Sequence, residues 1–413
     1  MLALIHPELG GTLAGTTQGR QYQETHPWIT FTVDLRRAPA KLWMLLGEAR
    51  SKCEHIAGVP LRPATANDLH LLYLAKGARA TTAIEGNTLS EEEVSELVRG
   101  TLELPPSKEY LGKEVNNILE ACNGILENLS QGRAYPLTPQ RIKELNGNVL
   151  DDLSLDEGVK AGEIRSHDVG VARYRGAPPQ DCEYLLGRLC DWLDAADWRV
   201  GRLDDIAVSI LKSIIGHLYI EWIHPFGDGN GRTGRLIEFQ ILVNAGVPSP
   251  AAHLLSNHYN ETRSEYYRQL ERASQTGDPI GFLSYALQGL VDGLYDQLAS
   301  IRQQHWQVAW ENYVHDAFRD RNSAADTRRR HLALDLSVTG KPVPPSGLRT
   351  LTTRLAAAYA GKTSKTVTRD INALQEMGLV RRERGGVVSN HEVLLAFLPI
   401  SGPADLTDAG DDR

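Results

Sequence analysis

Cysteine is scarce in this chain of 413 residues: Cys53, Cys122, Cys182 and Cys190 form no C-x-x-C pair and no metal-like spacing. So sparse a set argues against a disulfide-stapled fold and for a reducing compartment. No uninterrupted apolar run reaches membrane-spanning length. The start, Met1-Leu2-Ala3-Leu4-Ile5-His6-Pro7, lacks the basic and long apolar regions of a signal peptide. A cytoplasmic location and no membrane partner are expected. What is present is ordinary for a globular protein, 41% apolar and 23% charged residues, at a length that suggests two or three domains.

The net charge of −8 is unevenly spread. Residues 301–400 hold 15 Lys+Arg against 9 Asp+Glu, whereas residues 401–413 hold four Asp and one Arg. An acidic body with a basic C-terminal segment suggests a core with a docking module.

The periodicity predicts a mainly α protein with one β-hairpin. Residues 1–34 are Gly/Thr/Gln-rich without a helical period and read as an irregular arm. Residues 35–137 read as a helical region: a helix over 35–56 with Leu42, Met44, Leu45 and Leu46, and another over 66–85 with Leu69, Leu72, Leu74 and Ala75 on its apolar side. Gly86-Asn87 ends that helix, Ser90-Glu91-Glu92-Glu93 is a capping box for the next, and a further helix covers 113–129. Thr138-Pro139 opens a core region, 138–288. Within it the alternating stretch 163–172 predicts the hairpin, with Val169, Gly170 and Val171 at its tip. A helix from Asp204-Asp205 is apolar around most of its circumference, so it should be central. Residues 289–347 read as a helical connector and linker, 348–400 as two short helices followed by strand–turn–strand, and 401–413 as an acidic tail.

Between the central helix and the next lies His224-Pro225-Phe226-Gly227-Asp228-Gly229-Asn230-Gly231-Arg232-Thr233-Gly234-Arg235. Glycines at a helix N-terminus offer free backbone N–H groups and the positive dipole end, which attract phosphate. Asn230 is a further donor, and Arg232 and Arg235 can clamp phosphate oxygens. Asp228 suits a Mg²⁺ ligand, because hard cations take one carboxylate together with nucleotide phosphates. His224 is the one group in the turn with a pKa suited to a general base. Singly, each residue has a plainer explanation as a turn, cap or packed histidine. Jointly they do not, since a structural turn gains nothing from collecting a base, an acid and two arginines around three glycines.

The stretch resembles the complete signature of the Fic (filamentation-induced-by-cAMP) family, H-x-F-x-[D/E]-G-N-G-R-x-x-R. The resemblance implies a protein adenylyltransferase that moves AMP from ATP to a Tyr, Ser or Thr hydroxyl of a target protein, itself included. By that resemblance His224 deprotonates the acceptor and Asp228 holds Mg²⁺. Gly229, Asn230, Gly231, Arg232, Thr233 and Gly234 cradle the phosphates, and Arg235 takes the γ-phosphate. The hairpin with Val169, Gly170 and Val171 corresponds to the family's flap, which aligns the target by strand addition. Tyr267 is the candidate for the adenine pocket, with an ordinary helix tyrosine as the alternative.

Upstream, Thr81-Thr82-Ala83-Ile84-Glu85-Gly86 resembles the family's inhibitory pattern, [S/T]-x-x-x-E-[G/N]. A glutamate in the last turn of a helix faces the negative dipole end and needs a cation. Arg235 is the expected partner, and their pairing would withhold Arg235 from ATP. In some relatives the same glutamate supports removal of AMP. Finally, residues 366–380 resemble a winged-helix recognition helix and strand, so DNA is a further candidate partner, and relatives often form homodimers. The alternative from another class is an ATP-sensing DNA-binding regulator that transfers nothing.

Overall fold

The computed structural model describes residues 19–171, 174–195, 198 and 203–394. The chain divides into two units, 1–296 and 297–413.

In the first unit a short helix Tyr22–Thr25 (α1) precedes Ala40–Gly58 (α2), Pro63–Ala83 (α3), Glu91–Val98 (α4), Glu109–Ser130 (α5) and Pro139–Val149 (α6). The antiparallel pair Gly170–Val171 (β1) and Tyr174–Arg175 (β2) follows. Then come Pro179–Asp194 (α7), Asp205–Ile223 (α8), Asn230–Asn244 (α9), Ser249–Ala252 (α10), Leu254–Glu261 (α11), Arg263–Thr276 (α12) and the first part, 280–296, of the long Ile280–Ala317 (α13), whose remainder belongs to the second unit.

Local sequence explains the boundaries. Ser90 and Glu93 form the reciprocal capping box, Thr138 caps α6 with Pro139 at its first position, and Asp204 accepts from the Ala207 N–H to cap α8. Helix α8 is long and apolar enough, by composition, to cross a membrane, but most of it is buried inside the unit. Ile210, Ile214, Leu218 and Ile220 are fully covered, which is why its apolar residues run around the circumference. Helices α2, α7, α9 and α12 pack directly on this centre, and α6 packs on α9.

Several expectations shift. Met44 is 74% exposed, because α2 buries the stripe Leu42, Leu45, Leu46, Ala49 and Cys53 instead. Leu72 is also exposed, since α3 buries mainly its second half. Of the irregular arm expected over 1–34, residues 19–34 hold only α1 as regular structure, yet Tyr22, Ile29, Phe31 and Val33 are buried in the core, while 1–18 lie outside the described residues. The hairpin sits later than expected. Gly170 pairs with Arg175 and Val171 with Tyr174, so 169–171 lead into and form its first arm rather than its tip.

The second unit gathers Trp310 and Val314 of α13, Ala324–Ser337 (α14), Thr353–Ala358 (α15), Ser364–Glu376 (α16), and the hairpin Val380–Glu383 (β3) with Gly386–Ser389 (β4) around one core. Helix α14, in the stretch expected to be a connector, contributes Leu332, Ala333 and Leu336 to that core. The helix expected over 348–358 is a 3-10 turn at Leu348–Thr350 followed by α15. Asp370 of α16 is fully buried and accepts from the Nε of Arg328 (2.7 Å) and of Arg329 (2.9 Å) and from the Tyr359 hydroxyl (3.1 Å). These bonds tie α16 to α14. Residues 395–400 and the acidic tail 401–413 lie outside the described residues.

Candidate active site

Helix α8 ends at His224, which takes the left-handed conformation (φ 49°). For a non-glycine residue this is costly, on the order of 1 kcal/mol or more, and persists only where the surroundings hold it. Here they do. The His224 N–H donates to the Ile220 carbonyl (2.8 Å), and the His224 carbonyl accepts from Arg165 Nε (2.7 Å). Arg165 also donates to the carbonyls of His167 (2.7 Å) and Ala177. Gly176 runs so close that a Cβ there would meet His224 Cβ and Arg165 Nη2, each at 2.8 Å.

From His224 the chain turns through Phe226, fully buried, and Gly229 (φ 76°) into α9. Asn230 was expected as a phosphate donor; its amide instead donates to the Phe226 carbonyl and accepts from the Phe226 N–H, both 2.9 Å. Its side chain shapes the loop. Thr233 and Gly234 face inward: Thr233 accepts from Asn146 (3.3 Å), and a Cβ at Gly234 would meet His217 Nδ1 at 2.8 Å. At 100° per residue these two positions lie on the opposite side of α9 from 232 and 235.

Arg232 and Arg235 are both buried and both paired. Arg232 donates to Asp228 (3.1 Å) and to Glu114 of α5 (3.3 Å). Arg235 donates through Nη2 to Glu85 (2.6 Å) and to the Thr81 carbonyl (2.9 Å). Its Nε and Nη1 are buried without a hydrogen-bond partner among the described residues. Burial works against the Arg235 charge, and Glu85 beside it more than restores it, leaving the pKa raised. A Cβ on Gly231 would collide with Glu85 Oε1, so glycine admits the glutamate to this end of α9. The Glu85 side chain is 35% exposed, against 1% for Arg235.

A cavity of about 660 Å³ opens beside His224, walled by Tyr174, Glu221, Trp222, Tyr267 and Leu270. Burial, reinforced by Arg165, lowers the His224 pKa to about 4, so its imidazole is neutral near pH 7. Burial, with Glu85 adding to it, raises Glu221 to about 7. Tyr267 is 39% exposed and its hydroxyl reaches the Ile84 carbonyl (3.4 Å), so it touches both the cavity and the end of α3. The Val169 carbonyl accepts from the Gly176 N–H (3.1 Å), and Gly170 is exposed.

Asp228 uses Oδ1 for the Gly229 N–H (2.5 Å) and for Arg232, and its side chain is about half exposed. No group of three or more His, Cys, Asp or Glu residues suited to a metal occurs among the described residues. One half-exposed carboxylate at a phosphate-attracting helix end is nevertheless the donor set that Mg²⁺ uses when it arrives with a nucleotide.

Sequence reasoning passed over Glu114, Arg165, Tyr174 and Glu221. Glu221, three residues before His224 on one helix, was within reach of spacing arguments. Glu114 and Arg165 come from distant segments and carried no local signal.

Residues 136–242 match the model of the Fic/DOC family, and residues 347–393 that of the DeoR-like helix-turn-helix domain. Over 205 residues, half of this chain, it is 30% identical to the protein adenylyltransferase fic-1 of Caenorhabditis briggsae and 29% to the protein adenylyltransferase Fic of Nematostella vectensis. The matched segment spans 37% and 44% of those relatives' own lengths. Among solved structures, a Fic family protein from Desulfovibrio desulfuricans G20 aligns over 83% of this chain and 91% of its own (TM-score 0.52, 21% identity). Fic-1 from C. elegans aligns over 64% of this chain and 73% of its own (TM-score 0.51, 24% identity). Both likenesses concern the fold.

Proposed function

We propose that this chain, which belongs to the Fic/DOC family through residues 136–242, transfers AMP from ATP to a hydroxyl side chain of a protein, its own copies included. The observation that carries this reading is a neutral, backbone-pinned His224 that lines a cavity and directly precedes, along the chain, a glycine-opened helix end with two arginines. The relatives named protein adenylyltransferase support it.

In the proposed reaction the acceptor oxygen attacks the α-phosphorus of ATP. The bond from that phosphorus to the bridging oxygen breaks, pyrophosphate leaves, and the acceptor proton passes to His224. The acceptor segment docks as an added strand on the β1–β2 hairpin. The N–H groups at the start of α9 and Arg232 hold the phosphates, so that positioning and electrostatics do most of the work. Tyr267 walls the nucleotide side of the cavity. Asp228 would hold Mg²⁺, which supplies charge neutralisation at the phosphates.

Glu85 restrains this reaction. While Arg235 is engaged by Glu85 and Thr81 it is not free for a γ-phosphate, and ATP binds without productive alignment. Incubation of Glu85→Gly protein with α-labelled ATP should give strong self-labelling that disappears in Glu85→Gly/His224→Ala. Equal labelling with and without His224 would refute the assignment.

The second unit carries a second reading. Lys365, Thr368, Arg369 and Asn372 are exposed at i, i+3, i+4 and i+7 on α16, with Arg382 and Arg384 exposed on the following hairpin. This face suits duplex DNA, as does the DeoR-like match. A mobility shift that persists in His224→Ala and weakens in Arg369→Ala supports DNA binding; no shift for the wild type at low salt rejects it. A shift with no AMP transfer from Glu85→Gly would favour an ATP-sensing regulator over the enzyme.

A further inference from the structure

Residues 20–33 lie outside the matched family segment, yet they pack on the hairpin that walls the cavity. Among the described residues that hairpin pairs two residues on each arm, with one further bond from the Gly176 N–H to the Val169 carbonyl, too little to hold itself in place. Its position is therefore set by what grips it. On the core side the Tyr174 hydroxyl donates to the Trp222 carbonyl (2.6 Å). On the outer side His26, nearly fully buried, donates from Nε2 to the Arg175 carbonyl (2.8 Å). Its ring lies 5.0 Å from Trp28 and meets Tyr174 edge-on at 6.2 Å.

The segment carrying His26 is itself anchored at both ends. The Tyr22 N–H (2.8 Å) and Arg20 (3.3 Å) engage Asp181 in the first turn of α7. The Phe31 N–H donates to the Tyr219 hydroxyl of α8 (3.1 Å). Phe31 is buried and held at φ 54°, a strained conformation that only a well-determined environment sustains.

We propose that residues 20–31 form a clamp on the β1–β2 hairpin, with His26 as a positioning residue for the protein acceptor. The acceptor role rests on the reading of this hairpin as the docking edge. An acceptor hydroxyl must be aligned closely with His224. A hairpin free to shift then loses grip on the acceptor, while the ATP cradle on α9, to which none of the clamp's hydrogen bonds named above runs, keeps its affinity.

The test uses the full chain with Glu85→Gly as parent. His26→Phe keeps a ring but removes the donor; His26→Gln restores an N–H. The first readout needs no activity. Amide exchange over residues 168–177 should speed up on the order of tenfold in His26→Phe, return toward the parent in His26→Gln, and stay unchanged in α9. Asp181→Asn, which loosens the other anchor, should speed the same amides. The second readout is transfer to full-length His224→Ala protein as acceptor. Its KM should rise about tenfold in His26→Phe with the KM for ATP unchanged. Unchanged hairpin exchange in both His26→Phe and Asp181→Asn overturns the clamp. Faster exchange with an unchanged acceptor KM overturns the positioning role. If the parent transfers no AMP, the adenylyl-transfer reading fails, and hairpin exchange still decides the clamp.

Discussion

Replacing Glu85 by glycine should move stability and nucleotide affinity in opposite directions. The pair it removes is 2.6 Å long and joins a buried guanidinium to a partly exposed carboxylate. Breaking a fully buried pair costs about 3–5 kcal/mol. Because the glutamate is a third exposed and Arg235 keeps its bond to the Thr81 carbonyl, about 1–2 kcal/mol is the expected loss here. The freed guanidinium can then engage a γ-phosphate, a charge-assisted contact of about 1.5–3 kcal/mol, or roughly a 10- to 150-fold gain in affinity. ADP has no γ-phosphate and should gain little. Calorimetric titration of wild type and Glu85→Gly with ATP and with ADP reads this directly, as a ratio of the two Kd values that widens by one to two orders of magnitude. Thermal unfolding supplies the stability arm. A lower Tm with an unchanged ATP/ADP ratio would mean that the pair is only structural, and the restraint argument would fall.

Three further outcomes follow from other parts of the molecule. The depressed pKa of His224, about 4 against an ordinary 6.5, keeps the base unprotonated as the pH is lowered well below 6. The acid limb of kcat/KM for Glu85→Gly should therefore lie nearer pH 4–5 than 6.5, and a limb at 6.5 would contradict the burial argument. Gly176→Ala would push a methyl group into His224 and Arg165; transfer should fall by about 100-fold while calorimetric ATP affinity stays near the parent's. Asp370→Asn leaves Arg328 and Arg329 facing a neutral group in a buried site. It should destabilise the second unit by about 2–4 kcal/mol, seen as an earlier unfolding transition, with the ATP affinity of the first unit unaffected.

Much of this architecture is legible in the sequence because it is written locally. The apolar circumference of α8, the capping box at Ser90–Glu93 and the glycines before α9 each announce an element within a few residues. The expectation that Glu85 needs a cation follows from helix polarity alone. What the sequence hides is set by tertiary packing. Met44 reads as core until the helix phase shows the stripe through Leu42, Leu45 and Ala49. Asn230 reads as a ligand donor until its amide is seen closing on the Phe226 backbone. Arg165 pins His224 from 59 residues away, and Glu114 reaches Arg232 from 118; neither has a periodic or motif signal. The arm at 19–34 looks irregular because its order comes from partners on α7 and α8, not from a repeating pattern of its own.

The central claim is that this chain attaches AMP to protein hydroxyls when Arg235 is released from Glu85. Intact-mass spectrometry of Glu85→Gly, incubated with Mg²⁺ and each nucleoside triphosphate in turn, tests it most directly. With ATP the protein should gain the mass of one AMP residue, and the increment should be absent when His224→Ala is combined. An unmodified mass with ATP, or the same increment without His224, would contradict it.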